Sequence, residues 1–369
     1  MSNYYSKSPA GTKVGRRTNR TGKELTLLIL DIAVMVSMAI LIFLSLTAII
    51  CQYVSPEKSG VLSVIALGVP IIYLLDMVVM FYWVVRLRWY AALAMFIVVF
   101  LGLFYLSKYY KIDFDRDYDT KFVERKYTKV MTYNVHEGKD SKLVEYIDKH
   151  NPDILCLQEM NVYTENWRNL AEKYNTTLIR EASTGNQILS KYKIVRKGLI
   201  DDINPMNAVW ADLKIKDDTV RVISLHLKST AIRLEDTEFL ENHKYFTDSE
   251  RDSKLRSIVS RLVKNNQKRA AQARKIAEFK KSTPYKMIIC GDFNDVPLSY
   301  TYRTIYRGLD DTFSEMANGF AYTFNTRYNL LRIDNILVSP SIEVASYDVD
   351  NEVEMSDHYP VISRLVFKK

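Results

Sequence analysis

Cysteine is scarce, with three in 369 residues. None has CxxC spacing, and each sits among apolar neighbours: Cys51 at the end of a long apolar run, Cys156 in ILCL and Cys290 in MIIC. That pattern points to buried free thiols rather than a disulfide framework or a cysteine-built metal site. Internal repeats and low-complexity tracts are also lacking, which removes repeat arrays and biased-composition segments from consideration. No small-residue cleavage site follows the first apolar run, 25–50, and the run is too long for the apolar core of a signal peptide. It reads as a retained anchor. An excess of positive charge is weaker than it looks. The net charge is +8, but residues 1–106 hold 9 Lys/Arg against 4 Asp/Glu, leaving 42 against 39 for the rest. Bulk charge is therefore poor support for a polyanion binder.

What the chain does have is apolar residues crowded toward one end. Residues 25–50, 61–85 and 90–106 are nearly continuous apolar runs. A helix needs ~20 apolar residues to cross the hydrocarbon, so the first two runs qualify and the third lies at the short end. Lys7, Lys13, Arg16, Arg17, Arg20 and Lys23 precede the first run, and Arg86 and Arg88 lie between the second and third, whereas 51–60 carries only Glu57 and Lys58. Basic flanks mark the cytoplasmic side. The expectation is a basic cytoplasmic N-terminus (1–24), three spans in an inner cell membrane, a linker (107–126) and an extracytoplasmic domain (127–369). A third run that fails to cross would put that domain in the cytoplasm. Asp31 and Asp76 fall within the runs, where ionisable groups call for a role; each stands alone, which favours helix–helix contacts over a transporter or sensor.

Beyond residue 126 the pattern changes to short Val/Ile/Leu-rich segments of buried-strand length: 129–135, 154–157, 220–227, 287–290 and 333–338. Between them, 142–150 places Leu143, Val144 and Ile147 on one helical face and is stopped by Asn151-Pro152. Residues 255–279 carry an apolar stripe at 3–4 spacing with basic residues elsewhere. The alternation is α/β. Residues 230–254 are charged and read as a mobile loop.

Several of these strands end in, or carry, residues suited to chemistry. Asn134 lies in the first, with His136 just beyond; DILCLQEM ends in Gln158-Glu159; His226 lies in SLHL; GDFN follows MIIC; Asp334 lies in RIDNILVS; and Asp357-His358 precedes the last apolar strand. Taken singly, each has an ordinary explanation as a helix cap, a turn or a hydrogen-bonded strand residue. Together they supply what phosphoester hydrolysis needs. A hard cation takes carboxylate and amide oxygens, available from Glu159, Asn134 and Asp357. An attacking water needs a carboxylate, available from Asp292. Developing phosphate charge needs donors, available from His358, His226 and Asn294, and Asp334 can fix a histidine tautomer.

The ordered series TYNVH, DILCLQE, GNQILSKYKI, SLHL, GDFND, RIDNILVS and SDHYP resembles the endonuclease/exonuclease/phosphatase superfamily, also called deoxyribonuclease I-like, over about residues 127–367. The resemblance implies an α/β (α+β) fold, a four-layer α/β/β/α sandwich with the site at one edge of two packed sheets. It also implies Mg²⁺, or Mn²⁺, held by Glu159 with Asn134 and a metal-side or water-side Asp357. Asp292 then resembles the water-activating residue and Asn294 the amide that positions water and phosphate. His358, oriented by Asp334, resembles the phosphate-facing histidine, and His226 the second histidine seen in many members. The 268–272 stretch resembles a packing helix before the GDFN strand. The implied activity is hydrolysis of a phosphodiester or phosphomonoester, with nucleic acid, a phospholipid headgroup or a small phosphorylated molecule as substrate and the bilayer as the only other partner. The alternative is a catalytically silent member of the fold acting as a binding or scaffold protein.

Overall fold

Helices without a polar face bury themselves in a bundle or a bilayer, and the first part of the chain forms such helices. These are α1 (Gly22–Cys51), α2 (Gly60–Ile65), α3 (Val69–Val85) and α4 (Trp89–Leu106). In this computed structural model the described residues are 22–111, 126–176, 184–200, 207–230, 236, 239, 247–325 and 331–367. Most of the expected basic N-terminus (1–21) and most of the expected linker (112–125) lie outside them. Three helices are long and apolar enough to cross a membrane: Gly22–Cys51, Gly60–Val85 and Trp89–Leu106. The second is broken by a 3₁₀ turn at Ala66–Gly68, just before Pro70 in the first turn of α3, where proline's missing N–H costs nothing. Asp31 of α1 accepts from Tyr82 at 2.6 Å and from Arg86 at 2.8 Å, and Asp76 of α3 accepts from Ser45 at 2.6 Å. Both carboxylates thus serve helix–helix contacts.

Fourteen strands follow among the described residues. In chain order they are β1 (Tyr110–Lys111), β2 (Thr128–Glu137), β3 (Ile154–Asn161), β4 (Asn175–Thr176), β5 (Thr184–Ser190), β6 (Lys193–Leu199) and β7 (Ala208–Ile215). Next come β8 (Asp218–His226), β9 (Lys286–Asp292), β10 (Asp310–Asp311), β11 (Gly319–Phe320), β12 (Asp334–Val338), β13 (Ile342–Val349) and β14 (Val361–Phe367). One six-stranded sheet has the order β13-β14-β2-β3-β5-β4 and the other β10-β12-β9-β8-β7-β6. At the heart of each lies a parallel pair, β2 with β3 and β8 with β9. Parallel neighbours need a crossover, supplied by α5 (Leu143–His150) in the first case and α7 (Asp248–Lys281) in the second.

Alternation along the strands builds the layers. Val130, Ile154, Cys156, Val222, Ile288, Cys290 and Ile336 meet between the two sheets, so two of the three cysteines are free thiols in the central core. Met131, Tyr133, Leu155 and Leu157 point the other way and pack on Leu143 and Ile147 of α5 and Trp167 and Leu170 of α6 (Glu165–Lys173). On the opposite side Ile223, Leu225, Ile289 and Leu337 meet Ala273 and Ile276 of α7 and Tyr302 and Ile305 of α8 (Tyr300–Tyr306). The result is the expected α/β/β/α sandwich.

One expectation needs correction. Residues 248–254, read as part of a loop, are the first turns of α7. Thr247 accepts from the backbone of Glu250 while the Glu250 side chain reaches back to Thr247, a capping box that starts the helix seven residues before its apolar stripe.

The sandwich is seated on the helices. Val296 and Leu298, just after GDFND, are buried against Cys51, Ala66 and Tyr109. Asn266 of α7 donates to Ser63 of α2 at 2.8 Å, and Arg274 grips Glu57 with both terminal nitrogens, at 2.9 and 2.6 Å.

Candidate active site

Strand register brings the polar residues into line. In the second sheet His226 pairs with Asp292 and Asp292 with Asp334, so three adjacent strands carry the three side by side at one edge. In the first sheet Asn134 pairs with Gln158, and the ladder is then irregular on both sides of β3, between Asn134 and Glu137 and between Leu157 and Met160. Such irregularities re-aim side chains. Here the backbones of His136 and Glu159 turn left-handed, with φ of 43° and 55°, and the Glu159 carboxylate comes toward the second sheet. Glu137, at 70°, and Asn294, at 52°, are the other non-glycine residues at this edge with positive φ. Left-handed backbone costs a side-chain-bearing residue on the order of 1–3 kcal/mol and collects where geometry serves a site.

The glycine of GDFND has a steric reason. Gly291 has φ of 132°, and a Cβ there would lie 2.0 Å from the carbonyl oxygen of Leu225 on the parallel neighbour. Only glycine lets β9 approach β8 this closely. The strand then ends with Asp292 buried at 1% exposure.

Four N–H-bearing groups converge on Oδ2 of Asp292. Asn294 Nδ2 lies at 2.7 Å, Asn134 Nδ2 at 3.4 Å, and the Nε2 atoms of His226 and His358 at 3.7 Å each. Oδ1 accepts from the Asn294 backbone at 2.8 Å. Burial pushes the Asp292 carboxyl up to about 6, the nearby Asp334 adds to the rise, and His358 and His226 oppose it. His358 Nδ1 donates to Asp334 Oδ2 at 2.9 Å, and the ring packs on Phe324 with centroids 4.9 Å apart. Burial works against the charged ring, but the Asp334 and Asp292 carboxylates outweigh it and hold His358 up to about 10.

Toward the mouth, Glu159 Oε1 accepts from Asn134 Nδ2 at 3.1 Å and faces His226 Nε2 at 3.5 Å. Its Oε2 lies 3.7 Å from Nδ1 of His136, and Oδ1 of Asp357 lies 3.9 Å from the same nitrogen. All eight residues expected from the sequence therefore join one network, with Asp357 attached through His136 and, at 3.3 Å, through Ser356. His136, noted in the sequence only as a flank of Asn134, sits between the two partly exposed carboxylates. Phe324 and Arg269 are further participants. Arg269 is fully buried on α7, donates to the Lys228 carbonyl at 2.7 Å and lies 3.4 Å from Asp295, and so ties together the loops that follow His226 and Asp292. The KRAAQ stretch carries no local mark that distinguishes this arginine from its exposed neighbours; its burial is a tertiary fact.

The donor set fits a hard divalent ion. Glu159 and Asp357 offer carboxylate oxygens in a half-open position where bound waters can remain. Asp292, Asp334 and His358 also place ligand atoms within 4.8 Å of one another. That trio is fully buried, however, and its histidine is already committed to Asp334, which suits proton chemistry better than a hydrated cation.

Two family models match the chain. The one described as the Endonuclease/Exonuclease/phosphatase family covers residues 131–358, and one described as a domain of unknown function (DUF8431) covers residues 31–109. No curated protein matches. Among solved structures, a humanized D. rerio TDP2 is 17% identical with a TM-score of 0.48, covering 65% of this chain and 99% of that one. The human Nocturnin catalytic domain with bound sulfate is 18% identical with a TM-score of 0.48, covering 66% and 95%. An AP endonuclease from Archaeoglobus fulgidus is 17% identical with a TM-score of 0.47, covering 66% and 100%. The first model spans well over half of the 369 residues and takes in all the motif-bearing strand ends from Asn134 to His358, so this chain belongs to the endonuclease/exonuclease/phosphatase family.

Proposed function

We propose that the chain is a membrane-anchored, divalent-metal-dependent phosphoester hydrolase that attacks its substrate directly with water. The observation that carries this reading is the buried Asp292 carboxylate, met by the side chains of Asn294, Asn134, His226 and His358 and raised to about 6. A base with that value is ionised at neutral pH yet still able to take a proton. Asp292 orients the water and accepts its proton, with Asn294 keeping the carboxylate aimed. His358, held as a cation by Asp334, donates to the phosphate oxygens as negative charge grows on them, and His226 supports the same side. Glu159, Asp357 and Asn134, the last with its amide turned over, would hold Mg²⁺ or Mn²⁺, whose positive charge, when bound, would offset the negative charge of the phosphate.

The substrate class stays at the level of a phosphoester: nucleic acid, phospholipid headgroup or small phosphorylated molecule. Full-length protein in neutral detergent is expected to release product from a generic phosphodiester or phosphomonoester in Mg²⁺, to lose that activity in EDTA and to regain it when Mg²⁺ is restored. Equal release with and without metal would sink the metal-dependent mechanism. No release from either ester, or from DNA, RNA and phospholipid, would favour the silent scaffold.

The three apolar helices and the basic flanks support an extracytoplasmic catalytic domain. A reporter that works only outside the cytoplasm, fused after Lys369, is expected to be active. Activity of a cytoplasmic reporter in its place would reverse this orientation.

A further inference from the structure

Where α1 ends at Cys51, a cleft opens between the membrane segment and the sandwich. Gln52 and Tyr53 form one wall, and the end of α7 and the turn after α8 form the other. Four cations line it, Lys280, Lys281, Arg303 and Arg307, and no carboxylate does among the described residues. Its volume is about 820 Å³, within the ~300–1,000 Å³ of an ordinary small-ligand pocket.

The cations are held rather than merely displayed. Arg303 lies over the Tyr53 ring at 4.0 Å, joining the two walls. Lys280 donates to the carbonyls of Ile305 and Arg307, which leaves one of its three N–H groups for a ligand. Burial pulls the Lys280 ammonium down to about 8, the response of a cation that lacks a counter-charge. The acid of the same loop, Glu57, is already taken by Arg274. Lys281 and Arg307 are exposed at the rim. Like charges gathered without a balancing anion form a binding potential for one. The end of a spanning helix, with a tyrosine beside it, marks the level of the lipid headgroups.

We propose that this cleft binds the phosphate of an anionic phospholipid headgroup, which bridges the end of α1 to α7 and α8 and fixes the sandwich against the bilayer. The site is separate from the Asp292 cluster. The proposal rests on the spanning role of α1 and not on the hydrolytic reading.

The test uses the full chain in neutral detergent with EDTA present, so that no ester is turned over. Binding is read by native mass spectrometry and thermal unfolding with added phosphatidylglycerol, phosphatidylcholine or inorganic phosphate. Phosphatidylglycerol is expected to be retained and to raise the unfolding temperature above that seen with phosphatidylcholine. Its affinity is expected to fall at least ~10-fold, the scale of losing charge-assisted contacts, in a Lys281→Glu/Arg307→Glu variant. Lys193→Glu, on exposed β6, is expected to bind as the wild type does. Metal-dependent ester release by the double variant should be unchanged, which separates this site from the catalytic one. If inorganic phosphate alone gives the variant-sensitive shift, the site stands as a phosphate site and a soluble anion is its source. Equal retention of the two lipids, or wild-type affinity in the double variant without a phosphate response, overturns the proposal.

Discussion

Replacing Asp292 with asparagine is expected to lower kcat by ~10²–10⁴, the usual scale for losing a positioned general base, while the protein stays folded. The two side chains have nearly the same shape, though the amide nitrogen of an asparagine would face a donor in place of one of the accepting oxygens. What disappears is the acceptor for the water's proton. The fold should not suffer. The folded-state carboxyl is raised to about 6 from an ordinary value near 3.8. Between those values the folded protein holds a proton that the unfolded chain has released, so at neutral pH the ionised group is carried at a cost to stability. A neutral amide removes that cost. Against that gain stand the donor that the amide nitrogen would face and the lost charge beside His358, so thermal unfolding in EDTA should stay near the wild-type temperature. Wild-type turnover in Asp292→Asn would remove this residue from the mechanism, and lost activity with a much lower unfolding temperature would point to damage rather than chemistry.

The second large effect concerns pH. The wild-type rate is expected to fall on the acid side as Asp292 takes a proton near 6 and to hold on the alkaline side until His358 loses its proton near 10. Asp334 is the strongest contributor to the upper limit, through its charge and its 2.9 Å hydrogen bond to Nδ1. In Asp334→Asn the burial that disfavours the charged ring is opposed by Asp292 and Asp357 alone, and His358 falls below its wild-type value of about 10. The alkaline limb then moves to lower pH, and the rate falls about tenfold for each pH unit above it. The backbone N–H of residue 334 keeps its bond to Thr323 at 2.9 Å, so the local turn survives the exchange. Profiles of kcat/KM from acid to strongly alkaline pH would show the shift. An alkaline limb unmoved in Asp334→Asn would mean that His358 is not the proton donor.

Much of this was legible in the residues because much of it is local. The buried strands announce themselves by composition; β9 ends at Asp292 because Gly291 permits the close approach and Asp292 and Asn294 bond locally. The capping box at Thr247 is equally local, but the charged residues after it carry no apolar stripe to mark a helix. The candidate site residues stand out by type and order, since each lies in or beside an apolar segment and the chemistry of phosphate limits the choice.

Other features were beyond any reading of neighbours. Asn134 meets Asp292 across 158 positions of chain, and Asn266 meets Ser63 across 203. His136 lies between Glu159 and Asp357 only because the β2–β3 ladder is irregular there. Arg269 becomes the tie between the loops that follow His226 and Asp292, and Lys280, Lys281, Arg303 and Arg307 become one cleft, only after α7 and α8 dock beside the end of α1. The sequence by itself determined the apolar spans, the layered strands and helices, and the chemical inventory at the strand ends, because periodicity, turn chemistry and residue type act over a few positions. Tertiary structure alone decided which atoms face one another, how far their charges shift each other's protons, and where the domain sits on its helices. Those depend on distances between strands and helices that lie far apart along the chain.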